Sequence, residues 1–197
     1  KVMFEGNGYS KEWQEESVRR GLRPVVNAAE ALHALQEPES VRVLTQTGVL
    51  SSAEIDARVE VLEETFVKKL QIEARVIGDI CLNHVIPAAT AYQNVLAQNL
   101  SSGRELFGKE ADQLCRASAQ TYRKIACLIN SLSDGVTALV EERRKANRVT
   151  DMSEKARLYS TAVMAAMQKV REDADNLEML VDDAQWPLPK YRELLYL

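Results

Sequence analysis

From about Ser51 to about Gln98, apolar residues return every three or four positions: Ile55, Val59, Leu62, Phe66, Leu70, Ala74, Ile77 and Cys81. That spacing keeps them on one face of a single long helix, interrupted only by Pro87. Ser51 and Glu54 have the spacing of a capping box, in which the serine side chain takes a free N–H of the first turn and the glutamate reaches back. At ~1.5 Å per residue such a helix spans roughly 70 Å, more than a compact domain is wide. Its apolar face requires partners of comparable length.

The remainder of the chain supplies them. Asn99 to Gly103 predicts a loop by composition. A second long pattern follows: Ala111, Leu114, Ser118, Thr121, Ile125, Leu128, Leu132, Val136 and Leu139, running through Gly135 to about Lys145. After a loop at 147–150, Asp151 caps a third pattern: Ala156, Tyr159, Val163, Ala166, Val170, Ala174, Leu177 and Val181, ending near Asp183. Eight Gly and five Pro are few for 197 residues, and no Pro stands between Pro87 and Pro187. The expected fold is all-α, with three long antiparallel helices, the first kinked at a proline, joined by short connections. Three short helices precede them. Ser10 caps one that carries Trp13 and ends before Gly21. Asn27 and Glu30 open a second, with Ala28, Ala31, Leu32 and Leu35 on its apolar side. Pro38 opens a third, with Val41 and Leu44 inward and Gly48 as its stop.

A net charge of -4 and a pI near 5.4 give no overall attraction to nucleic acid or anionic membrane, and no apolar run reaches the ~18 residues of a spanning helix. Cys81, Cys115 and Cys127 are odd in number, lack paired spacing and fall inside helical patterns, so they are expected to be reduced core thiols of a cytoplasmic protein. Lys1-Val2-Met3-Phe4 resembles the end of an upstream element. The expected organisation is a connector over 1–24, a helical bundle over 25–183 and a docking tail over 184–197. Counting along parallel helices places the tail near the kink, with Trp186 buried at the level of Pro87 to Tyr92 and Leu188 covered beside it.

Reaction signatures are missing: no Gly-rich phosphate loop, no H-E-x-x-H, no G-x-S-x-G. Cys81 and His84 have helical spacing for two metal ligands, but a zinc site needs more, and a core thiol beside a hydrogen-bonded histidine is the simpler account. His33 sits among alanines with no visible proton-transfer partner. Glu73 and Arg75 interrupt an apolar stretch and fit a solvated flank. Glu141 to Lys145, with Arg148, complements the C-terminal dipole of its helix. Pro87 fits a static kink more simply than a hinge. No catalytic, cofactor-binding or metal residue is assigned.

Four stretches carry a resemblance: Phe4-Glu5-Gly6-Asn7-Gly8-Tyr9-Ser10-Lys11-Glu12-Trp13; Ile72-Glu73-Ala74-Arg75; Ile86-Pro87-Ala88-Ala89 with Tyr92-Gln93; and Trp186-Pro187-Leu188-Pro189-Lys190-Tyr191. Together they resemble the C-terminal region of type III glutamine synthetase, over nearly the whole chain. The resemblance implies a parent glutamate–ammonia ligase that uses ATP and Mg or Mn, with its catalytic domain upstream as this chain's partner and a homo-oligomeric assembly. The helical extension itself would be non-catalytic and serve assembly or regulation. A free-standing helical interaction or spacer protein is the alternative from another class.

Overall fold

Ser51 Oγ accepts the N–H of Glu54 at 3.3 Å, and the Glu54 carboxylate accepts the N–H of Ser51 at 2.8 Å, so the capping box starts the first long helix where its spacing placed it. The computed structural model describes residues 3–23, 25 and 27–195. Lys1 and Val2, expected to end an upstream element, lie outside the described residues, as do Tyr196, Leu197 and the side chains of Tyr191 and Arg192 in the tail.

Three short helices come first: α1 (Lys11–Arg19), α2 (Ala28–His33) and α3 (Pro38–Gln46). The first long helix comprises α4 (Ser52–Ile80), a π turn at Cys81–Val85 and α5 (Ile86–Phe107). The second comprises a short α6 (Ala111–Leu114) and α7 (Arg116–Arg148). The third runs through α8 (Met152–Leu158), a π turn at Tyr159–Val163 and α9 (Met164–Glu178), and α10 (Tyr191–Leu194) closes the described chain. The expected all-α architecture of three short helices and three long ones is the observed one.

Gln71 Nε2 reaches Asn147 Oδ1 at 3.4 Å and Gln93 Nε2 reaches the Tyr122 carbonyl at 3.2 Å, so the first and second long helices run antiparallel. α7 packs on α5 and α9, while α8 packs on α4. The stripes meet in one continuous core: Val67, Leu70, Ala74, Cys81, Val85 and Ala89 from the first helix, Ile125, Leu132, Val136 and Leu139 from the second, and Tyr159, Val163, Val170 and Leu177 from the third. The third helix stops early. Tyr92 borders a cavity with Glu178 to Asp183, and Arg123 borders another with Asn176, so α5 and the start of α7 continue beyond it as a two-helix hairpin. From Gln93 to Phe107 that overhang is roughly 20 Å long.

Several expectations are corrected. No loop forms at Asn99 to Gly103: α5 continues to Phe107, and the chain turns at Gly108, whose φ of +53° suits a residue without a side chain. Buried Leu96 and Gly103 hold that turn-rich stretch helical, so packing overrides composition. The second helix breaks at Cys115 before α7 begins, leaving Leu114 exposed, and α7 runs to Arg148 rather than Lys145. The third helix ends at Glu178 rather than near Asp183. On α2 the buried residue is Ala29, while Ala28 and Ala31 are exposed, as is Leu35 in the turn that follows. On α4 Leu62, expected on the apolar face, is exposed, and its neighbour Glu63 is buried instead. Cys127 is exposed and Cys115 half-buried, so only Cys81 is a fully buried thiol.

Pro87 is accommodated by the π turn just before it. There the N–H of Ile86 bonds the carbonyl of Cys81, five residues back, so the widened backbone precedes the residue that lacks a donor. At the other end of the chain Trp186 is 8% exposed and joins the core, whereas Leu188 keeps 37% of its surface exposed. Lys190 Nζ donates to the carbonyls of Glu178 at 2.9 Å and Val181 at 3.2 Å, fastening the tail to the end of α9.

Candidate functional site

The structure does not gather the polar residues singled out by spacing into a common site. Cys81 is buried in the seam, and burial pushes its thiol up to about 11, so it stays protonated at neutral pH. His84, one turn on, points to solvent instead of hydrogen-bonding beside it. Glu73 and Arg75 are both exposed on the flank of α4. Glu141 pairs with Arg144 and Glu142 with Lys145, each at 2.7 Å, so much of the charge ending α7 is satisfied within the helix. Among the described residues no three His, Cys, Asp or Glu side chains come together as metal ligands.

His33 does border a cavity. A cleft of about 290 Å³ forms where the connector, α2, α4 and α8 meet, and Glu63 stands in its wall. Glu63 is 3% exposed, and its carboxylate accepts a 2.8 Å bond from Ser153 Oγ on α8. Local chain geometry puts the groups there. Asp151 caps α8 by accepting the Glu154 N–H at 2.8 Å, which sets Ser153 in the first turn, facing α4. Asn27 caps α2 by accepting the Glu30 N–H at 2.9 Å, and its own amide donates to the Glu30 carboxylate.

The charged walls of the cleft are already paired. Arg23 of the connector meets Glu37 ahead of α3, and Arg157 meets Glu154 within α8. The hydrogen bond from Arg157 holds the Glu154 carboxyl below its usual range, and the same bond raises Arg157. Just past α8, at the start of the π turn, the Tyr159 hydroxyl donates to Asn147 Oδ1 at 2.9 Å, and burial raises its pKa. The hydroxyl that does stand beside a carboxylate is Ser153, whose proton is directed to buried Glu63. The arrangement joins four segments of the chain.

The connector has a small cluster of its own. Phe4 and Trp13 stack with centroids 4.8 Å apart, and the Arg20 guanidinium lies 6.0 Å from one ring and 5.7 Å from the other. Arg20 also donates to the Met3 carbonyl at 2.5 Å and to Glu16 at 2.6 Å. The irregular sequence around Gly6 to Trp13 therefore encodes a folded strap, fixed to the bundle side by Arg23 and Glu37.

Sequence reasoning missed Glu63 and Ser153. The available signal was the strict four-residue series Ile55, Val59, Glu63, Val67, which puts the carboxylate in phase with the core. Asp173 is a second case: it lies between Val170 and Leu177, is 3% exposed, and is bound at 2.7 Å by both Ser131 Oγ and Lys169 Nζ.

A strapped connector, an end-joining cleft with paired charges and an antiparallel three-helix core define an all-α accessory module. The chain belongs to the glutamine synthetase C-terminal domain family, whose profile matches residues 1–104. A glutamine synthetase of Bacteroides fragilis (strain YCH46) is 38% identical over 196 residues, covering 99% of this chain and 27% of that protein. A type-3 glutamine synthetase of Dictyostelium discoideum is 29% identical over 203 residues, covering 100% of this chain and 27% of that protein. A glutamine synthetase of Butyrivibrio fibrisolvens is 26% identical over 196 residues and 28% of its own length. The chain thus spans a little over a quarter of these relatives. No helix among the described residues is long and apolar enough to cross a membrane.

Proposed function

We infer that this chain is the C-terminal helical domain of a type III glutamine synthetase, and that it serves assembly or regulation of a homo-oligomeric, cytoplasmic ligase. The observation that carries this reading is the end-to-end match: the relatives align with 99–100% of the chain while it covers only 27–28% of them. The whole protein would join glutamate and ammonia with ATP and Mg or Mn. The residues described here do not fit the metal, since no ligand cluster converges, and no step through metal or nucleotide is assigned to them. Residues 1–24 form the connector from the catalytic part, 25–183 the bundle and 184–197 the docking tail.

The test compares the whole protein with a version lacking these 197 residues. Glutamine formation by the whole protein, with altered assembled mass or altered rate in the shortened one, is the expected result. A shortened protein identical in mass and kinetics would remove the assembly and regulatory role. A reading frame with no catalytic domain upstream of Lys1 would replace the ligase reading with that of a free-standing interaction protein.

A further inference from the structure

The hairpin that overhangs the third helix encloses a groove of about 560 Å³ between α5 and the α6–α7 segment. Helical spacing builds its walls: Ser101 and Arg104 share one face of α5, and Arg116, Ala119 and Arg123 share one face of α7. At Gly103 a side chain is absent where Cys115 Sγ lies 2.4 Å from the ideal Cβ position, and this lets the two walls close on each other.

Positive charge is concentrated here in a chain whose net charge is -4. Several guanidinium groups elsewhere are used internally, Arg19 on Glu16, Arg42 on Glu39, Arg144 on Glu141 and Arg157 on Glu154, whereas others such as Arg75 stand singly on the surface; what sets the groove apart is that three line one cavity. Among the described residues, no carboxylate engages Arg104, Arg116 or Arg123. Asp112 is the acidic residue in the lining, which leaves the groove with an excess of two positive charges. Cys115 gives the N-terminus of α7 no side-chain cap, so the positive end of that helix's dipole is not offset there, beside Arg116.

We propose that this groove binds a small phosphate-bearing organic anion, held by Arg104, Arg116 and Arg123. A phosphomonoester dianion matches the charge excess, whereas a monocarboxylate neutralises half of it. Guanidinium forks suit phosphate oxygens, and several can share one phosphate. The volume falls within the ~300–1,000 Å³ of organic-ligand sites and is too large for a bare inorganic anion. Leu100 and Tyr122 supply the less polar wall on which the organic body rests. This assignment stands on the groove alone and does not rest on the ligase reading.

The experiment titrates the 197-residue chain with phenyl phosphate, inorganic phosphate and benzoate at constant ionic strength, followed by amide NMR and calorimetry. Phenyl phosphate is expected to saturate with shifts confined to residues 97–123, inorganic phosphate to bind more weakly, and benzoate to bind roughly tenfold more weakly than phenyl phosphate. Arg116→Gln and Arg123→Gln should each weaken phenyl phosphate by about tenfold at unchanged helicity, and Asp112→Asn should tighten it about two- to threefold. Arg75→Gln, an exposed arginine on α4, should change nothing. If an arginine variant loses helicity, Ser101→Glu on the opposite wall reports instead, and it should abolish binding. No saturation, shifts spread over the chain, equal losses for Arg75→Gln, retained binding in Ser101→Glu, or benzoate matching phenyl phosphate would each overturn the assignment.

Discussion

Ser153 Oγ donates a 2.8 Å hydrogen bond to the carboxylate of Glu63, ninety positions earlier and on the buried face of α4. Removing the donor leaves a buried carboxylate without that partner. Ser153→Ala should therefore cost about 1.5–3 kcal/mol, the range for hydrogen bonds to charged groups. Glu63→Leu extends the apolar series between Val59 and Val67, and in that background the same serine change should cost less than ~0.5 kcal/mol. Urea midpoints of the four proteins decide the matter. Equal costs in both backgrounds would mean that the bond is not what joins α8 to α4.

Gly103 and Cys115 set the spacing of the overhanging hairpin. A methyl group on Gly103 would meet Cys115 Sγ at 2.4 Å, so the sulfur must move, while replacing glycine inside a helix favours folding by about 1 kcal/mol. The two effects oppose each other. Gly103→Ala alone should be neutral to destabilising. With Cys115→Ala in place, where the Cβ lies 3.9 Å away, it should stabilise by about 1 kcal/mol. A stabilising effect of the same size in both backgrounds would contradict the close approach.

Hydrogen bonds from Arg19, and next from Arg20, lower the Glu16 carboxyl from the usual 4.5 to about 2. A folded value below the unfolded one means that protonation favours the open strap. The contribution is complete above 4.5 and disappears as pH falls towards 2. The Trp13 indole N–H resonance should follow this change, because Arg20 lies over both Glu16 and the ring. In Glu16→Gln the acid transition of that resonance should vanish. Its persistence at the same midpoint would assign it to another carboxylate.

Lys190 links the tail to the end of α9 through two carbonyls and the Asp183 carboxylate. Lys190→Met removes those donors while keeping the length of the side chain. With Trp13→Phe leaving Trp186 as the sole indole, emission should be blue-shifted and protected from iodide in the parent, then red-shifted and quenchable in the Met variant. Unchanged emission would show that Trp186 is held by packing alone.

The sequence made the long-range plan legible because apolar period and capping chemistry are local signals. The third stripe, Ala156 to Val181, is buried or half-buried at every named position, and the caps at Ser10, Asn27, Ser51 and Asp151 all form. What failed depended on partners far along the chain. Gly103 reads as a loop residue until Cys115 comes against it, and Glu63, missing from the apolar series, has its role only when Ser153 arrives from α8. The groove arginines carried no signal either, since Arg104 and Arg123 become neighbours only when the hairpin closes.

The π turns at Cys81–Val85 and Tyr159–Val163 make sequence length and helix length part company. Each holds one surplus residue that adds a position to the chain without advancing the residues beyond it by a full helical step. In the third helix no proline follows, so deleting exposed Thr161 would let the turn relax to a regular helix with Val170 and Leu177 still on the core. The first helix lacks that freedom. There Pro87 occupies the space that the surplus residue opens, and deleting exposed Asn83 would drive its ring against the preceding turn. Residue 87 therefore depends on the extra residue before it: chains of this family that lose that residue are expected to lose the proline as well.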